Sequence, residues 1–211
     1  VDGLCAAGIT PFVTLYHWDL PAALQFELGG WLHADLPRYF ADYAETCFRR
    51  FGDRVRNWLT LNEPWCIAEG GYMSGWNAPG VREAALGFRV GHNLLRAHAA
   101  AVERYRGLRP GDGAIGLALN LTDYHPAANS ADDAAAAQRA MEFSGGWFID
   151  PISTGDYPAV MRQRLGEQLP WFTDEEQRQL RSSLDFIGLN YYFAEPVRHA
   201  ANNGPAEFTT V

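Results

Sequence analysis

Four short apolar runs recur along the chain, each ending in polar or aromatic residues, and between them the apolar positions change to helical spacing. Residues 9–16 (Ile-Thr-Pro-Phe-Val-Thr-Leu-Tyr) are rich in β-branched and aromatic side chains with little alternation, the pattern of a strand covered on both faces. Pro11 sits near the start of that run, where a strand tolerates proline. Gly8 closes what reads as the tail of a helix. Residues 17–21 (His-Trp-Asp-Leu-Pro) end the strand and open a long loop that reaches Trp31.

From Leu36 the apolar residues Tyr39, Phe40, Tyr43, Ala44, Cys47, Phe48 and Phe51 form one stripe of a helix, with Asp35 as its N-cap, Pro37 in the first turn and Gly52 at its end. A second strand, 55–61, leads into Thr60-Leu61-Asn62-Glu63-Pro64 and a loop over 65–80 rich in glycine and aromatic residues. Residues 82–105 read as a longer helix with Leu94, Leu95, His98, Val102 and Tyr105 on one face, closed by Gly107 and Pro110. The third strand is 114–121. Ser130 and Asp133 have the spacing of a helix start, and that helix runs to about Ser144. Residues 147–158 read as loop and 158–165 as a short helix; Thr173 and Glu176 form a capping box, and 184–189 is a fourth buried strand ending at Asn190, Tyr191 and Tyr192.

Buried strands alternating with helices imply a parallel sheet with right-handed crossovers. Each strand carries polar or aromatic residues at its C-terminal end, the edge where parallel α/β folds place their chemistry; in a (β/α)8 barrel eight such ends face one pocket. Four strands do not close a barrel, so the sheet is either open or part of a barrel. With no internal repeat or linker, residues 1–211 read as one domain.

Composition narrows the partners. A chain of 211 residues with 47% hydrophobic and 20% charged residues buries a sizeable core. A formal charge of -8 disfavours nucleic acid and anionic membrane, leaving a neutral small molecule as the expected partner. Cys5, Cys47 and Cys66 have neither metal-ligand spacing nor a disulfide pattern, so they read as small apolar residues in a reducing, cytoplasmic compartment, and no metal is expected. No run approaches the ~20 apolar residues of a membrane span. The chain opens at Val1 within an apparent helix tail, so a preceding segment is expected.

Glu63, beside Asn62 and before a proline at a strand end, is poor material for a core and good material for a general acid. A carboxyl partly shielded from water holds its proton more strongly, as protonation of a glycosidic oxygen requires. The alternative is a glutamate paired with a basic residue at a barrel rim. His17 and Trp18 read either as packing or as sugar-binding groups, the indole offering a flat face to the C–H surface of a pyranose. His98 reads as core, Trp147 and Phe148 as packing, and Asn120 is open.

Five segments together resemble glycoside hydrolase family 1, the β-glucosidase family: 15–21 (Leu-Tyr-His-Trp-Asp-Leu-Pro), 60–64, 78–80 (Ala-Pro-Gly), 146–158 (Gly-Trp-Phe-Ile-Asp-Pro and Gly-Asp-Tyr-Pro) and 186–192 (Phe-Ile-Gly-Leu-Asn-Tyr-Tyr). They occur in the family's order over essentially the whole chain. The resemblance implies a (β/α)8 barrel of which these residues supply about strands three to six, N- and C-terminal parts being absent. It also implies a cofactor-free retaining hydrolase of terminal β-linked glucose or a related sugar. Glu63 matches the acid/base, Asn62 the neighbour that contacts the 2-hydroxyl, and His17 and Trp18 the binders of the non-reducing-end sugar. Asn190 and Tyr192 match a strand-end pair whose tyrosine lies against the nucleophile.

That nucleophile is a glutamate in a Thr-Glu-Asn-Gly motif, which does not occur in the 211 residues; the isolated chain is therefore expected to be inactive. Asn77 stands where many members have His before Ala-Pro-Gly. The rival expectations are an endo-acting cellulase-type barrel, which also places Asn-Glu at its fourth strand, and a non-catalytic sugar-binding barrel.

Overall fold

A computed structural model describes residues 1–108 and 113–211. The described elements, in chain order, begin with α1 (Asp2–Ala6), β1 (Phe12–Tyr16), α2 (Ala22–Leu28), α3 (Leu36–Phe51), β2 (Asn57–Asn62) and a π-helix over Cys66–Met73. They continue with α4 (Ala84–Leu108), β3 (Ala114–Pro126), α5 (Ala131–Met141), α6 (Trp147–Thr154), α7 (Ala159–Leu165), α8 (Asp174–Arg181), β4 (Phe186–His199) and β5 (Phe208–Thr210). The sheet order is β1-β2-β3-β4-β5. The first four strands are parallel, as expected; β5 pairs antiparallel with β4 through Val197, Arg198 and His199, an addition with no counterpart in the expected pattern.

The four parallel strands form an arc of a (β/α)8 barrel. In a flat sheet, strands three places apart lie roughly 14 Å from one another, yet the rings of Phe12 on β1 and Phe186 on β4 meet edge to face at 5.7 Å between centroids. Strong curling accounts for this, and small residues line its concave face. A Cβ added at Gly188 would touch Ala118 and Leu59, and one at Gly116 would strike the Phe186 carbonyl at 2.1 Å. On the convex side Ile115 and Leu117 of β3 are fully buried with Trp58, Leu94, Leu95 and Tyr105, and α3 packs along α4.

Several local expectations need correction. The stretch after β1 is not all loop: α2 forms behind Pro21 and ends at a left-handed Gly29, but it buries no residue and Phe26 is exposed, so it has no apolar stripe to read. Residues 147–154 are helical despite Pro151, because burying Trp147, Phe148 and Ile152 outweighs propensity. A π-helical turn, Glu142–Gly146, joins α5 to α6, and the segment after Glu63 is π-helical rather than loop. Helix α4 continues through Gly107 to Leu108; its expected stop at Pro110 lies outside the described residues. Asp35 occupies the N-cap of α3 without a side-chain cap bond, whereas Ser130 and the Thr173–Glu176 box cap as expected.

The fourth strand was expected to be buried, and it is not. Register pairs Leu117 with Ile187 and Leu119 with Leu189; the β3 partners are buried, while Ile187 and Leu189 are 45% and 60% exposed. Among the described residues the helices therefore leave Ile187 and Leu189 uncovered, and α5 reaches β4 only farther along, where Ala136, Ala137 and Ala140 pack on Val197. No described helix is long and apolar enough to cross a membrane.

His98 is fully buried on α4, as its apolar stripe implied. Its Nδ1 lies 2.7 Å from Thr60 Oγ1 and its Nε2 lies 3.0 Å from Ser183 Oγ. Burial pushes His98 down to about 3 and His92 down to about 4, whereas an unfolded imidazole titrates near ~6.5. Below that value the unfolded chain binds more protons, so stability present above it is lost as pH falls toward the folded values. Lowering the pH from 7 to 5 should cost about 2 kcal/mol per histidine, measured by urea unfolding. His98→Gln should flatten that dependence.

Candidate active site

The concave edge of the sheet takes its shape from β2. Thr60 points outward to His98, so simple alternation would send Asn62 outward as well. The β2–β3 register shifts between Leu59 and Asn62, the irregularity by which a strand re-aims a side chain next to a site. Asn62 then reaches the concave edge, where its Nδ2 lies 3.3 Å from His17 Nε2. Glu63 follows in the left-handed region at φ 48°, held by its N–H donating to the Ala118 carbonyl at 2.8 Å.

Trp18, after β1, is also left-handed at φ 78°. Non-glycine residues there cost of order 1 kcal/mol each and persist only when the surroundings fix them. Here each strained segment holds the other: the Trp18 indole N–H donates to the Asn62 backbone carbonyl at 2.9 Å.

Glu63 is 5% exposed, and its two oxygens have different neighbours. Oε1 accepts from Asn190 Nδ2 at 2.7 Å and from the Tyr192 hydroxyl at 3.4 Å; Oε2 accepts from Cys66 Sγ at 3.5 Å. Asn190 Nδ2 also donates to Asn62 Oδ1 at 3.1 Å. The three strand ends thus form one polar chain, His17–Asn62–Asn190–Glu63–Tyr192, with Trp18 braced against it. All six residues singled out in the sequence come together. Among the described residues, no ion pair involves Glu63, so the paired-glutamate alternative gains no support.

The negative charge of Glu63 pushes the exposed Tyr192 hydroxyl above its ordinary value, and burial, reinforced by the same charge, pushes the Cys66 thiol up to about 12. Both groups remain protonated donors at neutral pH. Trp147 and Phe148 are core, and Asn120 pairs with Asn190 in the sheet register. Among the described residues, no group of three His, Cys, Asp or Glu side chains could hold a metal ion.

Sequence reading missed the π-helix and what it carries. Cys66 lies three residues after Glu63 on its first turn, a spacing that brings the two side chains to one side. Farther along, the Trp76 ring lies on Gly70, where an added Cβ would meet it at 2.7 Å, and its indole N–H donates to Glu69 Oε2 at 2.9 Å. The signal was the pair Gly70-Gly71 before an aromatic residue. In chemical terms the edge offers a shielded carboxyl for proton transfer, amides that both donate and accept, and aromatic faces, a set suited to a polyhydroxylated ligand.

The family model for Glycosyl hydrolase family 1 matches residues 1–210. Beta-glucosidase 6 of Oryza sativa subsp. japonica is 45% identical over 217 residues, covering 96% of this chain and 42% of its own length. A rice β-glucosidase, solved as a glutamate-to-glutamine variant in a covalent complex with glucose, superposes with a TM-score of 0.95 at 41% identity, covering all of this chain and 49% of that one. The family 1 β-glucosidase from Thermotoga maritima gives 0.93 at 42% identity, over all of this chain and 47% of that one. The chain thus spans about two fifths to one half of the length of these relatives.

Trp18→Phe removes the indole donor and leaves a part-buried carbonyl unpaired. It should lower stability by about 1 kcal/mol, seen as a shift in the urea midpoint at unchanged slope.

Proposed function

Because this chain belongs to glycosyl hydrolase family 1, we propose that it is the acid/base-bearing part of a retaining β-glucosidase that releases terminal β-linked glucose, or a related sugar, from β-glycosides. One observation carries this reading. Glu63 is a nearly buried carboxyl with no cationic partner among the described residues, held by neutral donors at the concave edge of a barrel arc.

Glu63 as general acid protonates the glycosidic oxygen while a second carboxylate attacks the anomeric carbon. Glu63 as base then takes a proton from the water that releases the sugar. Retaining pairs stand about 5 to 5.5 Å apart, and in the family pattern the attacking glutamate comes from a Thr-Glu-Asn-Gly segment outside these 211 residues. The covalent glucose complex of the rice relative supports this order of events. Asn62 bonds the 2-hydroxyl, His17 and Trp18 bind the non-reducing-end sugar, Asn190 holds Glu63 and Asn62 in register, and Tyr192 faces the nucleophile. These roles use no metal and no cofactor. The three free cysteines support a reducing, cytoplasmic setting.

In the intact protein, Glu63→Gln should lower kcat/KM for phenyl β-glucoside by about 10²- to 10⁴-fold, and azide should restore turnover of activated aryl glucosides; unchanged rates would sink the acid/base role. The 211 residues alone should not turn over p-nitrophenyl glucoside, and measurable release of nitrophenol would show that a second carboxylate is not needed.

A further inference from the structure

We propose that Cys66 is a positioning residue for the Glu63 proton, its thiol holding Oε2 while Asn190 holds Oε1, so that the two carboxyl oxygens are assigned different tasks. This rests on the reading of Glu63 as the acid/base.

The geometry begins with Oε1. Two donors point at it, the Asn190 amide at 2.7 Å and the Tyr192 hydroxyl at 3.4 Å. An amide N–H needs an acceptor, so in the protonated carboxyl the hydrogen belongs on Oε2. That oxygen has one side-chain partner among the described residues, Cys66 Sγ at 3.5 Å. With the thiol hydrogen directed at one lone pair of Oε2, the acid proton is left the other direction.

Sulfur suits this task because it is a weak donor. A strong donor on Oε2 would favour the ionised carboxylate and leave less of Glu63 protonated to act as the general acid; no donor would leave Oε2 without a hydrogen bond to direct its proton. Burial keeps the thiol protonated, so it donates throughout the working pH range. The contact is built locally: Glu63 N–H is anchored on Ala118, Cys66 N–H donates back to the Glu63 carbonyl at 2.9 Å, and the π-helix starts at Cys66. The competing account is that Cys66 is only a small core residue, which predicts effects on stability and none on proton transfer.

The test is the pH dependence of kcat/KM for phenyl β-glucoside in the intact protein, with wild type, Cys66→Ala and Cys66→Ser compared. The alkaline limb reports loss of the acid proton. It should move up by about half a pH unit in Cys66→Ala, which lacks the donor, and down by a similar amount in Cys66→Ser, a stronger donor. With 2,4-dinitrophenyl β-glucoside, whose leaving group needs no proton, glycosylation should lose little in either variant. Coincident limbs in all three proteins, whatever happens to their thermal midpoints, would overturn the inference. Should Cys66→Ala fold poorly, the downward shift in Cys66→Ser decides alone. Glu63→Gln run alongside separates the two ideas: full activity there overturns the acid/base reading, whereas an impaired Glu63→Gln with unmoved Cys66 limbs overturns only the role of the thiol.

Discussion

The slip in register where β2 meets β3 governs the rest of the concave edge. Without it, Asn62 would follow Thr60 toward the helices, the Asn62–Asn190 bond would not form, and the backbone would have no cause to turn left-handed at Glu63. Past the irregularity the strand end is held by the Glu63 amide bond to Ala118 and by the Trp18 indole bond to Asn62. Backbone irregularity and site chemistry are therefore one feature. A perfectly regular strand would be more stable locally and would place no carboxyl at the concave edge.

Curvature supplies the second condition. Asn190 lies two strands away from Glu63 in the sheet order, yet the amide and carboxylate approach to 2.7 Å. Small residues on the intervening strand, Gly116 and Ala118, with Gly188 on β4, let the sheet curl that tightly. A larger residue at any of these positions would push the strand ends apart before it touched the site.

What could be read from the residues followed from physics that is local in sequence. The four parallel strands, the capped helices at Ser130 and Thr173, the buried His98 and the strand-end residues all announce themselves through periodicity or cap chemistry. What escaped depends on neighbours distant in the chain. Helix α2 has no buried face, α6 contains a proline that its core contacts outweigh, β5 exists only because β4 extends to His199, and the exposure of Ile187 and Leu189 depends on what covers them. The register shift is likewise invisible in Trp58-Leu59-Thr60-Leu61, which reads as a regular strand. Thus the gathering of His17, Trp18, Asn62, Glu63, Asn190 and Tyr192 at the strand ends was legible, whereas their mutual geometry and the Cys66–Glu63 contact were not.

His98 links the two sides of this arrangement. Its imidazole clamps Thr60, three residues before Glu63, to Ser183, which lies at the foot of the strand that carries Asn190. The outer wall of the barrel thereby acts as a gauge block for the inner one: the spacing between Glu63 and Asn190 is referred to a single, fully buried ring on the convex side. Changes on the convex surface near Ser183 would reach the concave edge as an alteration in alignment, with every strand-end residue still present.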